Sequence, residues 1–184
     1  MPLAWQAGSL SISGSFFETR RLRARPFHDA DVEAFVAYRG DPDVARYQSW
    51  SDFTLAEGRA LVESMQGLRP GVPGQWYQFA LEERADTALV GDLALKVSAD
   101  EPREAEVGFT LAPAHQGKGY ATEALRGLLG YAFGTLGLHR TIAVTDALNL
   151  PAAALLERVG MRREAHFHEN VFFSEEAANS GLYG

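Results

Sequence analysis

The chain has 184 residues, a formal net charge of −7 and 46% hydrophobic residues, which fits one globular domain with a sizeable core. It contains no cysteine, so disulfides, thiolate metal sites and a cysteine nucleophile are excluded. The negative charge and the lack of a Lys/Arg block disfavour nucleic-acid binding, and no apolar run is long enough to cross a bilayer. These features predict a cytoplasmic protein with no nucleic-acid or membrane partner.

The N-terminal residues 1–17 carry no charged side chain and lack both a basic leader and a continuous apolar stretch. They are therefore predicted to be an extension, either an edge strand or a tail, rather than a signal peptide. Residues 18–184 are predicted to form a single domain. Its first elements are a strand over 18–27 and two helices, capped by Asp29 and Thr54.

The middle of the chain changes from helical to period-two patterning. Three strand-like segments follow one another with short links, which predicts an antiparallel meander; they cover 77–81, 89–97 and 105–111. A strongly amphipathic helix, a strand over 139–146 and a helix capped by Asn149 come next. The fold class is therefore mixed α/β, with a meander at the front and one βαβ crossover behind it.

Residues 115–122, HQGKGYAT, join the third meander strand to the amphipathic helix, and we call them the glycine loop. Gly117 and Gly119 permit backbone conformations that a side chain would block, and a helix start favours an anion such as a phosphate. A P-loop would need Ser or Thr directly after Gly117-Lys118, where Gly119 stands instead. A dinucleotide fingerprint would need a third glycine at Thr122, although Asp146 suits its acidic residue, so that alternative is weakened rather than excluded.

The pattern Gln116-x-x-Gly119-x-Ala121 resembles the Q/R-x-x-G-x-G/A signature of the GNAT N-acetyltransferase superfamily. Further segments resemble its Rim-type branch, which includes acetyltransferases of ribosomal-protein N-termini: ETRRLRARPFHDADVEAF, GDPDVARYQSW, EVGFTLAPAHQGKGYATEAL and NLPAAALLERVGM. The resemblance implies a GNAT-like mixed sheet whose strands splay apart around the cofactor, with acetyl-coenzyme A as co-substrate and an amine-bearing acceptor.

The same resemblance implies the residues that hold the coenzyme. Main-chain groups near two residues of the third meander strand would hold the pantetheine arm, the glycine loop would bind the pyrophosphate, and one asparagine would lie beside the thioester. The predicted cofactor-binding residues are Phe109, Leu111, Gln116, Gly117, Lys118, Gly119, Tyr120, Ala121, Thr122 and Asn149. Glu123 lies in the first turn of the helix, and its carboxylate would repel a phosphate unless it points away.

Two residues are predicted to be catalytic, Glu106 and Asn149. Glu106 would act as the general base, directly or through water, and the alternative is a surface carboxylate paired with an arginine of the next strand. Many GNAT enzymes carry a tyrosine as general acid where this chain has Leu156, which leaves protonation of the thiolate unassigned. His166 and His168 share a strand face without an evident third ligand, so no metal site is predicted.

The acceptor is predicted to be a peptide N-terminus or a small amine, entering near Tyr47, Trp50, Trp76 and Tyr77. The last strand that the family places after residue 173 is predicted to be missing or shortened, which would leave an exposed sheet edge. A homodimer is predicted on that ground. Two other functions remain open, namely a non-catalytic acyl-coenzyme A-binding module and a dinucleotide-binding oxidoreductase.

Overall fold

The computed structural model describes residues 14–50, 52–173 and 176–184. The first half contains strands β1 (Phe17–Glu18), β2 (Leu22–Arg25), β3 (Trp76–Glu83) and β4 (Leu89–Val97) and helices α1 (Val32–Arg39), α2 (Pro42–Ala45) and α3 (Leu55–Met65). The second half contains β5 (Glu104–Leu111), α4 (Tyr120–Gly134), β6 (Arg140–Asp146), α5 (Leu150–Arg158), β7 (Arg163–Phe173) and β8 (Glu176–Tyr183).

Within the described residues, the strands form one sheet in the order β1-β2-β3-β4-β5-β6-β8-β7. Neighbouring strands are antiparallel except for the parallel pair β5 and β6. The crossover through α4 makes this pair parallel, because α4 returns the chain to the same end of the sheet. The predicted mixed α/β class, with a meander before a βαβ crossover, is confirmed.

The two faces of the sheet bury separate hydrophobic clusters. One packs α4 and α5 against the sheet through side chains such as Leu125, Leu128 and Leu156. The other packs α1 and α3 through Phe35 and Val62. Because side chains of a strand alternate between the faces, the polar residues of β4 and β5 that face α1 and α3 line up across the sheet, with Asp92 opposite Thr110 and Lys96 opposite Glu106.

The C-terminal region differs from its prediction. The last strand is neither missing nor reduced to a few residues, since β8 has 8 residues and lies between β6 and β7. Its main chain is paired with strands on both sides. The sequence of β8, EAANSGLY, contains no β-branched residue, so strand propensity does not predict this strand. β8 covers β6, so the exposed edge that motivated a homodimer is not at β6.

The N-terminal boundary also moves. Residues 1–13 lie outside the described part of the chain, but Phe16 belongs to the domain core, where its ring lies 5.3 Å from that of Tyr77 and 5.4 Å from that of Phe79. The predicted strand over 18–27 is divided in two, because the Thr19 hydroxyl accepts from the Leu22 amide at 3.0 Å and forms a tight turn. An edge strand, one of the two forms predicted for the extension, begins at Phe17.

Candidate active site

The glycine loop leaves β5 and enters α4 through two residues in the left-handed region. Gly117 has φ 72° and Gly119, the residue before the helix, has φ 79°. A Cβ atom on Gly117 would meet nothing within 4 Å, and one on Gly119 would meet only Arg21 Nη2, at 3.5 Å. The requirement for glycine is therefore conformational rather than steric. The first amides of α4 have no carbonyl partner within the helix, and this suits an anion.

Gly119→Val is expected to weaken acetyl-coenzyme A binding about 10- to 100-fold, because a β-branched residue is strained at this φ and the loop would shift. Isothermal titration calorimetry with acetyl-coenzyme A measures the change. Gly137→Val is the matched control, since Gly137 has φ 68° with open space around it and lies beyond the other end of α4. A Gly119→Val variant that binds the coenzyme as tightly as the control would contradict the role of the loop.

Side chains behind the glycine loop fix its position. Gln116 Nε2 donates to the Leu111 carbonyl at 3.0 Å, and Arg21 Nη1 donates to the Lys118 carbonyl at 3.0 Å. The Gln116 side chain thus braces the loop, while its amide donates to the Pro113 carbonyl at 3.2 Å. The predicted contact of Gln116 with the cofactor stays a prediction. The Lys118 side chain is exposed, as expected of a cation that meets phosphates as a point charge.

The next residues of α4 divide between the core and the site. Tyr120 is buried, its hydroxyl donates to Glu83 and its ring lies 4.3 Å from the Arg21 guanidinium. Ala121 packs against the core cluster of α4 and α5. Their side chains therefore position the helix start, and only their backbone amides are available for an anion. The Thr122 hydroxyl lies 3.4 Å from Arg158 Nη1.

Glu123 points away from the anion position. Its Oε1 accepts from the Thr19 hydroxyl and the Arg21 amide, both at 2.7 Å, and its Oε2 accepts from Arg21 Nε at 2.7 Å. Burial opposes its ionisation, but these hydrogen bonds outweigh burial and hold the pKa of Glu123 below its ordinary value. The apparent conflict between a carboxylate and a phosphate in one helical turn is thereby resolved.

Glu123→Gln is expected to destabilise the fold by about 1 kcal/mol at pH 7. Because the folded-state pKa of Glu123 is lowered, its contribution is full above the unfolded pKa and is lost as the pH falls through the folded pKa. Urea unfolding of both proteins between pH 7 and pH 3 should show the difference shrinking on acidification. A difference that stays constant across this range would contradict the proposed ionisation.

β5 and β6 separate along their length. They pair only at Glu104, Ala105 and Glu106, after which β6 pairs with β8 instead. The Glu104 carbonyl and the Ala112 amide bond toward β4. Since backbone groups alternate sides along a strand, the N–H and C=O groups of Val107, Phe109 and Leu111 face the gap. The predicted splay is thus present, with the backbone groups of Phe109 and Leu111 directed into it.

A cavity of about 460 Å³ extends through this gap to the face that carries α1 and α3. Glu106 lies where the strands begin to separate, is 30% exposed, and its Oε2 is 3.6 Å from Lys96 Nζ. The alternative interpretation of Glu106 was a surface carboxylate paired with an arginine of the next strand. The observed partner is instead Lys96, on the preceding strand. Asn149 caps α5, where its Oδ1 accepts from the Ala152 amide at 3.2 Å, and it also lines the cavity.

A buried polar cluster under the cavity was missed by the sequence analysis. Asp92 accepts from the Tyr38 hydroxyl at 2.6 Å and from Arg39 Nη2 at 2.8 Å. Asp92 is 1% exposed and Arg39 is 4% exposed. Burial and the neighbouring Asp92 carboxylate raise the pKa of Tyr38 well above its ordinary value. The signal in the sequence is a lone carboxylate within the apolar strand LVGDLALKV.

Three of the four predicted acceptor-side aromatic residues line the cavity: Tyr47, Trp50 and Trp76. Tyr77 does not, because it points to the opposite face and is buried against Phe16 and Phe79.

Within the described part of the chain, no cluster of His, Asp and Glu side chains is arranged to hold a metal. No helix in that part is long and apolar enough to span a membrane.

The splayed strands, the glycine loop and the cavity beside Glu106 form a candidate acyltransferase active site. Residues 21–162 match the family described as acetyltransferase (GNAT) domain, and the chain belongs to this family. It is 32% identical over 153 residues to YnaD, an uncharacterised N-acetyltransferase of Bacillus subtilis, covering 83% of this chain and 86% of YnaD.

Solved structures agree with this assignment. A GNAT-family acetyltransferase from Bacillus anthracis superimposes with a TM-score of 0.82 and 30% identity, covering 91% of this chain and 95% of its own. RimJ from Mycobacterium smegmatis, solved in complex with CoA-disulfide, has a TM-score of 0.79 over 91% and 85% of the two chains, and at 22% identity the likeness concerns the fold. The resemblance to the GNAT family is confirmed, RimJ shares its fold, and the oxidoreductase alternative is wrong.

Proposed function

We propose that this protein transfers an acetyl group from acetyl-coenzyme A to a primary amine by direct attack within a ternary complex. Acetyl-coenzyme A is the co-substrate that membership of the family implies. The observation that carries the proposal is the continuous cavity, which joins the gap between β5 and β6 to the α1 and α3 face beside Glu106. Two reactants entering from opposite sides meet there without a covalent carrier.

The coenzyme arm is proposed to occupy the gap as if it were a missing strand. The outward N–H and C=O groups of Phe109 and the Leu111 carbonyl, which also accepts from Gln116, would bond to its amides. The N–H groups of residues 117–122 would bind the pyrophosphate, and Lys118 would add a charge. The Leu111 N–H is the proposed donor to the oxyanion that forms when the thioester is attacked.

Glu106 is the proposed general base. An amine attacks only when neutral, and neutralising a lysine-like amine with a pKa of ~10.4 at pH 7 costs roughly 4–5 kcal/mol, against about 1 kcal/mol for an α-amine near ~7.8. A carboxylate at the splay point can accept that proton directly or through water. The Asn149 amide is proposed to orient the thioester end, because its oxygen is held by the cap of α5.

A panel of amines and peptides tests the proposal by coenzyme A thiol release. Release that depends on the acceptor, together with an enzyme mass unchanged after incubation with acetyl-coenzyme A alone, would support direct attack. An enzyme that gains one acetyl group without an acceptor would contradict it. Saturable coenzyme binding with no release from any amine would instead favour the non-catalytic binding module.

We propose a peptide or protein N-terminus as the first acceptor class and a small amine such as a polyamine as the second. A cytoplasmic location and a homodimer remain proposals. Because β8 covers β6, a second subunit would have to pair elsewhere, and the outermost long strand is β7. Sedimentation equilibrium that yields a single monomeric species across the micromolar range would contradict the proposed homodimer.

A further inference from the structure

The part of the cavity away from β6 carries several large apolar and aromatic side chains beside the polar side chains of Arg39, Gln78 and Asp92, and we call it the acceptor pocket. Its walls come from the loop after α2, from α3 and from the sheet, and its defining residues are Tyr47, Trp50, Leu61, Met65, Trp76 and Glu106. Such walls remove water from the acceptor and stabilise an apolar body. Glu106 supplies the carboxylate nearest to the point where the strands separate.

The aromatic faces of the acceptor pocket are already stacked with cations of the chain itself. The Arg39 guanidinium lies 4.1 Å from the Trp50 ring centroid, Lys96 Nζ lies 4.8 Å from that of Trp76, and the Arg46 guanidinium lies 5.4 Å from that of Tyr47. An aromatic face attracts a cation through its quadrupole. Each of these faces therefore offers less attraction to a cationic acceptor than a vacant ring would.

The carboxylates around the cavity are also engaged. Asp92 is bonded to both Tyr38 and Arg39, and Glu106 is paired with Lys96. Asp146 accepts from the Leu148 amide at 2.7 Å and is buried. A second ammonium on the acceptor would thus leave water for a place where Arg39 already balances Asp92, Lys96 already balances Glu106 and a backbone amide holds Asp146, and that transfer is unfavourable.

We infer that the acceptor presents a single ammonium on an apolar body, as does the N-terminus of a peptide that begins with an apolar residue. The inference rests on the proposed acetyl transfer and narrows its substrate class. The ammonium would approach Glu106, while the apolar body would lie against Trp50, Leu61 and Met65. Polyamines are disfavoured, because their further charges would face Lys96 and Arg39.

Hexylamine and 1,6-diaminohexane test the inference, since they share a chain length and differ by one ammonium. With acetyl-coenzyme A at saturation, kcat/KM for hexylamine is expected to exceed that for the diamine about tenfold at pH 7, because a second desolvated charge meets cations. Equal or faster turnover of the diamine would overturn the inference and leave the proposed function standing. Coenzyme binding without thiol release from either amine would overturn the proposed function itself.

Lys96→Gln tests the cause of the preference. Removing this cation is expected to narrow the hexylamine-to-diamine ratio about threefold, the scale of a partly exposed ion interaction. Arg103→Gln is the matched control, because Arg103 is an exposed cation on the turn before β5 that pairs with Glu101, whereas Lys96 contacts Glu106 and the Trp76 ring. The control ratio should stay unchanged, and a Lys96→Gln ratio equal to that of the control overturns the role of Lys96 in specificity.

Discussion

Glu106→Gln is expected to lower kcat/KM for a lysine-like amine about a hundredfold at pH 7, the loss typical of a general base. The Kd of acetyl-coenzyme A should not change, because Glu106 lies at the splay point of β5 and β6 and not at the glycine loop. Steady-state kinetics and calorimetry on the same preparation separate the two quantities. The amide keeps the size of the side chain, so the loss reports proton transfer rather than packing.

The pH profile distinguishes a base from a structural ion pair. Raising the pH toward the pKa of the acceptor makes the amine neutral without assistance, so the deficit of Glu106→Gln should shrink at high pH and should be smaller for an α-amine throughout. Glu101→Gln removes the same charge from the exposed turn before β5 and should retain full activity. If Glu106→Gln matched this control at every pH, Glu106 would be only the partner of Lys96.

The glycine loop and the meander were predictable because each is encoded in a short stretch of sequence. Positive φ at Gly117 and Gly119 follows from a strand, two glycines and a helix in close succession. The alternation in β3, β4 and β5 reflects strands whose two faces pack against different elements. These patterns involve residues that are close in the sequence, so they can be recognised without knowing which distant residues pack against them.

Other features depend on partners far apart in the sequence and left no local signal. β8 forms because β6 and β7 pair with its main chain, and strand propensity plays little part. Glu123 points away from the glycine loop because Thr19 and Arg21 come from the β1–β2 turn. The glycine loop could thus be located from sequence, whereas the side chains that hold it could not.

The site combines both kinds of information. A gap between parallel strands cannot be inferred from either strand alone, because it depends on where β6 leaves β5 and joins β8. The resemblance to the GNAT family, rather than the pattern of either strand, predicted that these two strands separate. The buried cluster of Tyr38, Arg39 and Asp92 joins α1 to β4. Its contacts therefore could not be predicted from the sequence pattern of either element alone.

Asp92→Ala is expected to destabilise the fold by about 3–5 kcal/mol, because it leaves the buried Arg39 guanidinium without its counter-charge. The Tyr38 hydroxyl loses its acceptor in the same step. Urea unfolding at pH 7 measures the change. Since Arg39 also stacks on Trp50 and its carbonyl accepts from the Trp50 indole at 3.2 Å, the acceptor KM should rise as well, while the Kd of acetyl-coenzyme A should change little.

A double variant separates an uncompensated charge from lost packing. Replacing both partners, as Arg39→Met with Asp92→Leu, removes the buried charges together and should restore a large part of the stability lost in Asp92→Ala. Glu101→Ala breaks an exposed pair with Arg103 and should cost at most about 0.5 kcal/mol. If the double variant were less stable than Asp92→Ala, the net contribution of the ion pair would be favourable, and the loss in the single variant would come from its attraction rather than from a stranded charge. Recovery of stability without recovery of the acceptor KM would assign Arg39 to the shape of the acceptor pocket.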